Sequence, residues 1–156
     1  MNKKLSDKLI RLLENQKLSL AIAESCSGGY ASYLITKTPG SSKVFKGGII
    51  VYSLYSKNIL LGIRKPLLEE TKGVSKEVAK LLAKNIKKKF KAGVGASIVG
   101  FAGPESYGKM EKGTVFISID YKGSHTKKIV IAGSRDAVRK KASNLLLGLI
   151  CKRIKL

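Results

Sequence analysis

Apolar and polar positions follow two different spacings along this chain, and the changes between them mark out its elements. Leu5, Ile10, Leu12 and Leu13 recur among charged neighbours at helical spacing, which predicts an amphipathic helix from Ser6 to Gln16 lying on the outside of a sheet. Leu18 to Ala23 reads as a first strand. Beyond Gly28-Gly29, the side chains of Tyr30, Tyr33, Leu34 and Ile35 form a second helical face, which Pro39-Gly40 ends. Val44 to Tyr52 predicts a buried second strand, where the pair Gly47-Gly48 implies close backbone contact or a bulge. A short helix is expected from Ser53 to Leu61, stopped by Gly62, followed by a turn or short helix opened by Pro66 and containing Glu69 and Glu70.

The longest clear helical pattern begins at the N-cap Ser75, with Val78, Leu81, Leu82, Ile86 and Phe90 on one face. Val94 to Val99 is a third strand, leaving through Gly100 to Pro104 into a polar loop, Glu105 to Lys112. Thr114 to Tyr121 and Thr126 to Ile131 alternate as a hairpin turning at Lys122 to Ser124. Ser134 caps a last helix whose inner face is Val138, Ala142, Leu145, Leu146, Leu149 and Ile150. This order of elements predicts a three-layer α/β/α sandwich on a five-stranded mixed sheet. Ligands of such folds sit outside the carboxyl ends of the parallel strands, where Ser25, Tyr52 and Gly100 to Pro104 should converge.

Composition narrows the function. At 156 residues the chain is expected to form one domain over 1–156, large enough to bury roughly two-thirds of its unfolded surface. No apolar run approaches a membrane span and the first ten residues lack a signal-peptide core, so a cytoplasmic location without a membrane partner is expected. Cys26 and Cys151 are too few for a disulfide framework and, with His125 the single histidine, no metal or other cofactor is expected. The formal net charge is +21, which attracts polyanions. Most of the excess is lysine on helical faces, such as Lys84, Lys87, Lys88, Lys89 and Lys91 near a helix end. With no nucleic-acid recognition motif beside it, this charge reads chiefly as a solvated surface rather than a specific nucleic-acid site.

The candidate chemistry gathers at Ala23-Glu24-Ser25-Cys26-Ser27-Gly28-Gly29, a strand running into a small, glycine-rich bend before a helix. Such a bend can hold a nucleophile and an anion together. Ser25 and Cys26 are rival nucleophiles, and adjacent positions on extended chain point to opposite sides, so one of them faces the site. A serine needs a base. His125 lies beside the hairpin turn, which leaves Lys57, on the helix after Tyr52. At an ordinary pKa of about 10.4 only roughly one lysine in 2,500 is neutral at pH 7, so Lys57 must be perturbed by burial or neighbouring cations to serve. Ser42 or Tyr52 could carry the proton between the two. Arg135 and Arg139, four residues apart at the start of the last helix, could clamp a phosphate with the Ser134 cap.

Taken in order, several motifs together resemble one family. They are the heptapeptide above, Pro39-Gly40-Ser41-Ser42, Phe45 with Gly47-Gly48, Val51-Tyr52-Ser53 with Lys57, Leu60-Leu61-Gly62, Gly73-Val74-Ser75 with Glu77-Val78-Ala79, Gly100 with Ala102-Gly103-Pro104, Gly113-Thr114-Val115, and Gly133 with Arg135 and Val138-Arg139. From about Leu20 to Leu147 the chain resembles the CinA C-terminal family, also known as the nicotinamide-nucleotide amidase (NMN deamidase) family. The resemblance implies an α/β/α sandwich and a serine–lysine hydrolase that takes the carboxamide of nicotinamide mononucleotide to nicotinate mononucleotide and ammonia. It also implies Ser25 as nucleophile rather than Cys26, Lys57 as general base, Ser42 and Tyr52 in the proton network and Arg135 on the substrate phosphate. Oxyanion donors would come from the backbone of Ser27, Gly28 and Gly29, and Gly100, Ala102 and Gly103 would border the substrate. A homo-oligomer, a dimer in the family's pattern, is the expected assembly. The chain departs from the family at Leu54, at Ser134 and in a shortened Glu105 to Lys112 loop, and lacks the N-terminal pyrophosphatase-like domain of many relatives. It is therefore expected to be a stand-alone amidase module. The alternatives are a degenerate module that binds a nucleotide or a partner protein, and a polyanion-binding accessory to DNA uptake or repair.

Overall fold

The computed structural model describes residues 2–155, with side chains from residue 5 onward. The elements run α1 (Asn2–Asn15), β1 (Leu20–Glu24), α2 (Tyr30–Thr36), a single 3-10 turn (Ser41–Lys43), β2 (Phe45–Ile50), α3 (Leu54–Leu61), α4 (Lys65–Thr71), α5 (Lys76–Phe90), β3 (Val94–Gly100), β4 (Thr114–Asp120), β5 (Ser124–Val130) and α6 (Arg135–Lys155). The sheet order is β2-β1-β3-β4-β5. β1 pairs parallel with β2 and β3, while β3–β4 and β4–β5 are antiparallel, so the sheet is five-stranded and mixed as the sequence predicts.

Alternation along the strands divides the interior into two cores. Leu20, Ile22, Ala96, Ile98, Val115, Ile117 and Ile119 face α1, α2 and α6. Ala21, Ala23, Val99 and Phe116 face the layer built by α3, α4 and α5. Neither helical layer could bury its stripe alone; the sheet between them covers both. Among the described residues, no helix is long and apolar enough to cross a membrane.

Two expectations are corrected. β2 is not a buried strand but an outer one, with Ile50 half exposed, because among the described residues no strand covers its far edge. Its glycine pair does serve close approach: a Cβ on Gly47 would lie 2.8 Å from the Phe90 ring, and one on Gly48 would lie 2.5 Å from Ser32 Oγ. On α6, Leu145 is exposed, and Leu147, Cys151 and Ile154 are buried. The helix is sandwiched by α1 and α2 as well as the sheet, so its buried stripe is wider than one face.

Because β1, β2 and β3 run the same way, the segments after them emerge at one end of the sheet. β5 also runs that way, since two antiparallel pairings restore direction, and it delivers the start of α6 there.

Candidate active site

Ser25 follows the last residue of β1, and its N–H is pinned to the Ile98 carbonyl of β3 at 3.0 Å. Lys57 arrives from the other side on α3. Ser53 caps that helix through a capping box with Ser56, which places Lys57 in the first turn, and Gly62, at φ +67, ends it. The lysine stem is covered closely enough that a Cβ on Gly73 would lie 3.4 Å from its Cδ and 3.5 Å from its Cε. Only 2% of Lys57 is exposed, and its Nζ lies 3.0 Å from Ser25 Oγ and 3.3 Å from the Tyr52 carbonyl.

Burial holds the lysine pKa down, at about 8, against a smaller opposing pull from Cys26. At that value about one lysine in ten is neutral at pH 7, a gain of roughly 200-fold over a free side chain. Cys26 points into the same cavity but is 5% exposed, and burial pushes its thiol up to about 11. A thiol held protonated is a poor nucleophile, so the geometry and the acidity both single out Ser25.

The bend behind Ser25 is organised by Glu24, which is fully buried. Its Oε2 accepts from Ser27 Oγ at 2.6 Å, Gly29 N–H at 3.0 Å and Ala31 N–H at 3.1 Å. Its Oε1 accepts from Ser32 N–H at 2.8 Å and Ser32 Oγ at 2.6 Å. Arg139 fastens the bend from outside, Nε donating to the Cys26 carbonyl at 3.1 Å and Nη2 to the Ser27 carbonyl at 3.2 Å.

These contacts correct several sequence expectations. Gly28 N–H donates to the Ser25 carbonyl and Gly29 N–H to Glu24, so these two amides are already taken, while Ser27, buried with its hydroxyl given to Glu24, has no acceptor for its own N–H among the described residues. The N–H groups of Ala102 and Gly103, at the cavity wall, have no acceptor among the described residues. Arg139 braces the nucleophile bend and does not join Arg135 in a clamp. Ser42 is exposed on the 3-10 turn before β2, at the opposite end of the sheet from Ser25, and takes no part in the site. Tyr52 contributes its carbonyl to Lys57, while its hydroxyl accepts from Arg135 Nη2 at 2.8 Å. Serine and lysine touch directly, so no relay between them is needed.

The cavity, about 460 Å³, is lined by Ser25, Cys26, Tyr52 and Lys57, by Lys72 and Val74, by Gly100 to Tyr107, and by Arg135. Gly100 is required where β3 meets β4, since a Cβ there would lie 2.9 Å from Val115 Cα. Arg135 Nη1 donates to the Gly103 carbonyl at 2.6 Å, tying the loop after β3 to α6. Phe101 and Tyr107 stack, with centroids 5.2 Å apart. Ser134 caps α6 as expected, accepting from Ala137 N–H. Sequence reasoning missed the roles of Glu24 and Arg139 and the presence of Lys72. An acidic residue ending an apolar strand just before a small-residue bend was the one available signal, for Glu24. Among the described residues, no group of three or more His, Cys, Asp or Glu side chains is placed to hold a metal ion.

An α/β/α sandwich with a buried serine–lysine pair at the carboxyl ends of its parallel strands defines the class of the molecule. Residues 2–154 match the model of the CinA C-terminal domain, and the chain belongs to that family. It is 37% identical over 156 residues to a CinA-like protein of Thermotoga maritima, covering 99% of this chain and 38% of that protein. It is 41% identical over 128 residues to a CinA-like protein of Amoebophilus asiaticus, covering 80% of this chain and 30% of that one. The chain thus spans between 30% and 38% of the length of these relatives. The crystal structure of a competence or damage-inducible protein from Enterobacter asburiae superposes with a TM-score of 0.94 at 28% identity, covering 99% of this chain and 98% of that one.

Proposed function

We propose that the protein is a serine–lysine amidase that hydrolyses the carboxamide of nicotinamide mononucleotide to nicotinate mononucleotide and ammonia. One observation carries the reading: a lysine 2% exposed, its pKa near 8, 3.0 Å from a serine hydroxyl in a cavity. Among the described residues no carboxylate lies within ion-pair distance of this lysine; it meets the Ser25 hydroxyl, whose proton a neutral amine can take, and donates to the Tyr52 carbonyl.

In this reading Ser25 Oγ attacks the carboxamide carbon and its proton passes to neutral Lys57 Nζ. The oxyanion meets the free N–H groups at the cavity wall. As the tetrahedral adduct collapses, the Lys57 ammonium returns the proton to the leaving amide nitrogen, which departs as ammonia. Water then attacks the ester, Lys57 again takes a proton, and the carboxylate leaves as the Ser25 hydroxyl re-forms.

Release of ammonia from nicotinamide mononucleotide by the purified chain, without added metal, tests this. Wild type and Cys26→Ala are expected to release it and Ser25→Ala and Lys57→Ala to fail. A folded wild type that releases none would sink the reading.

A further inference from the structure

The glycine-rich bend after β1 looks like an anion cradle, but its amides are filled from within. α2 has only seven residues, and Glu24 already takes the N–H groups of Gly29, Ala31 and Ser32. An anionic substrate group must find its positive partner elsewhere around the cavity. Apart from Lys57, committed to Ser25 and the Tyr52 carbonyl, two cations line it, Lys72 and Arg135. Arg135 already donates to the Gly103 carbonyl and the Tyr52 hydroxyl, bonds that an incoming anion would have to displace or share.

Lys72 is different. Among the described residues its ammonium has neither a hydrogen-bond acceptor nor a carboxylate within ion-pair distance. Its backbone, however, is held firmly: it ends α4 at φ +53, with its N–H on the Leu68 carbonyl. The next residue, Gly73, packs against Leu54 and the Lys57 stem. A free cation is therefore anchored one residue from the wall of the base. Among the described residues Glu105 is the single carboxylate lining the cavity, so Lys72 and Arg135 leave it positive even with Lys57 neutral.

We propose that Lys72 is a specificity-determining residue that selects substrates carrying a phosphate monoester, its ammonium making the ion pair that Arg135 is not free to make alone. The inference rests on the amidase reading of the same cavity. A lysine suits the task as a mobile point charge that needs no fixed fork geometry.

The test is equilibrium binding by calorimetry to the Ser25→Ala chain, at low and constant salt, of nicotinamide mononucleotide, nicotinamide riboside and ribose 5-phosphate. Lys72→Met, which keeps the stem, is expected to weaken both phosphorylated ligands about tenfold and leave the riboside unchanged. Lys72→Arg should restore most of the loss, with unaltered circular dichroism in both. Unchanged affinity for the mononucleotide in Lys72→Met, or an equal loss for mononucleotide and riboside, overturns the assignment, as does failure of all three ligands to bind. Hydrolysis of the mononucleotide with no Lys72 effect would leave the amidase standing and remove Lys72. Lys72-dependent binding of ribose 5-phosphate by a chain that hydrolyses no mononucleotide would do the reverse.

Discussion

Two charged side chains are buried at the same end of the sheet, and the protein treats them oppositely. Glu24 is fully enclosed and receives five hydrogen bonds from two hydroxyls and three backbone amides. Lys57 is almost as enclosed but meets only a hydroxyl and a carbonyl. A buried charge whose partners are complete becomes structure, fixing the bend that aims Ser25. A buried charge left short of partners sheds its proton more easily, and that shortfall turns a lysine into a base at neutral pH.

The largest effects should separate the two. Lys57→Met is expected to lower kcat/KM for the amide by at least about 10³-fold, on the order of 4 kcal/mol, while its urea midpoint equals or exceeds that of wild type. A Lys57→Met chain that unfolds readily would make the lysine a structural residue and erase the contrast. Glu24→Gln should behave the other way, destabilising the chain by about 2 to 4 kcal/mol in urea, because an amide nitrogen must then face donors that have lost their acceptor. Unchanged stability would show that the bend does not depend on the carboxylate.

The pH dependence sharpens the contrast further. Activity should rise with pH and level off with a midpoint near 8, where Lys57 loses its proton. For stability the sign follows from the same values. The folded chain holds Lys57 near 8 against 10.5 for the free group, so unfolding takes up a proton between these limits. The cost of burying the cation, about 3 kcal/mol, is present in full below pH 8 and is relieved as pH rises toward 10.5. The stability gap between Lys57→Met and wild type should therefore narrow over that window in urea titrations; a gap constant with pH would contradict the burial effect. The smallest effect is expected from Cys26→Ala, which should keep activity within about threefold, and wild-type Cys26 should resist iodoacetamide at pH 7.5.

Much of this was legible in the sequence because it depends on local pattern. The 3.6-residue spacing in α5, the alternation in β4 and β5, and the caps Ser75 and Ser134 all act within a few residues of themselves. The pairing of Ser25 with Lys57 was legible for a different reason: with one histidine in the chain, elimination and the family's motif converged on the same lysine. The misreadings share a cause. Ser42, the amides of Gly28 and Gly29, and Arg139 were placed by residue type, and residue type does not show which partner has already taken a group.

By itself, then, the chain determined the order of its elements, the sheet they build and the end where a site must form, since strand direction and apolar period need no distant contact to be read. Only the tertiary structure decided which charges are satisfied. Glu24 fills the amides of its own bend, Arg139 is spent on two carbonyls, and Lys57 is enclosed without a carboxylate beside it. Each of these is a property of packing between segments far apart in sequence, because desolvation and hydrogen-bond geometry arise only when those segments meet.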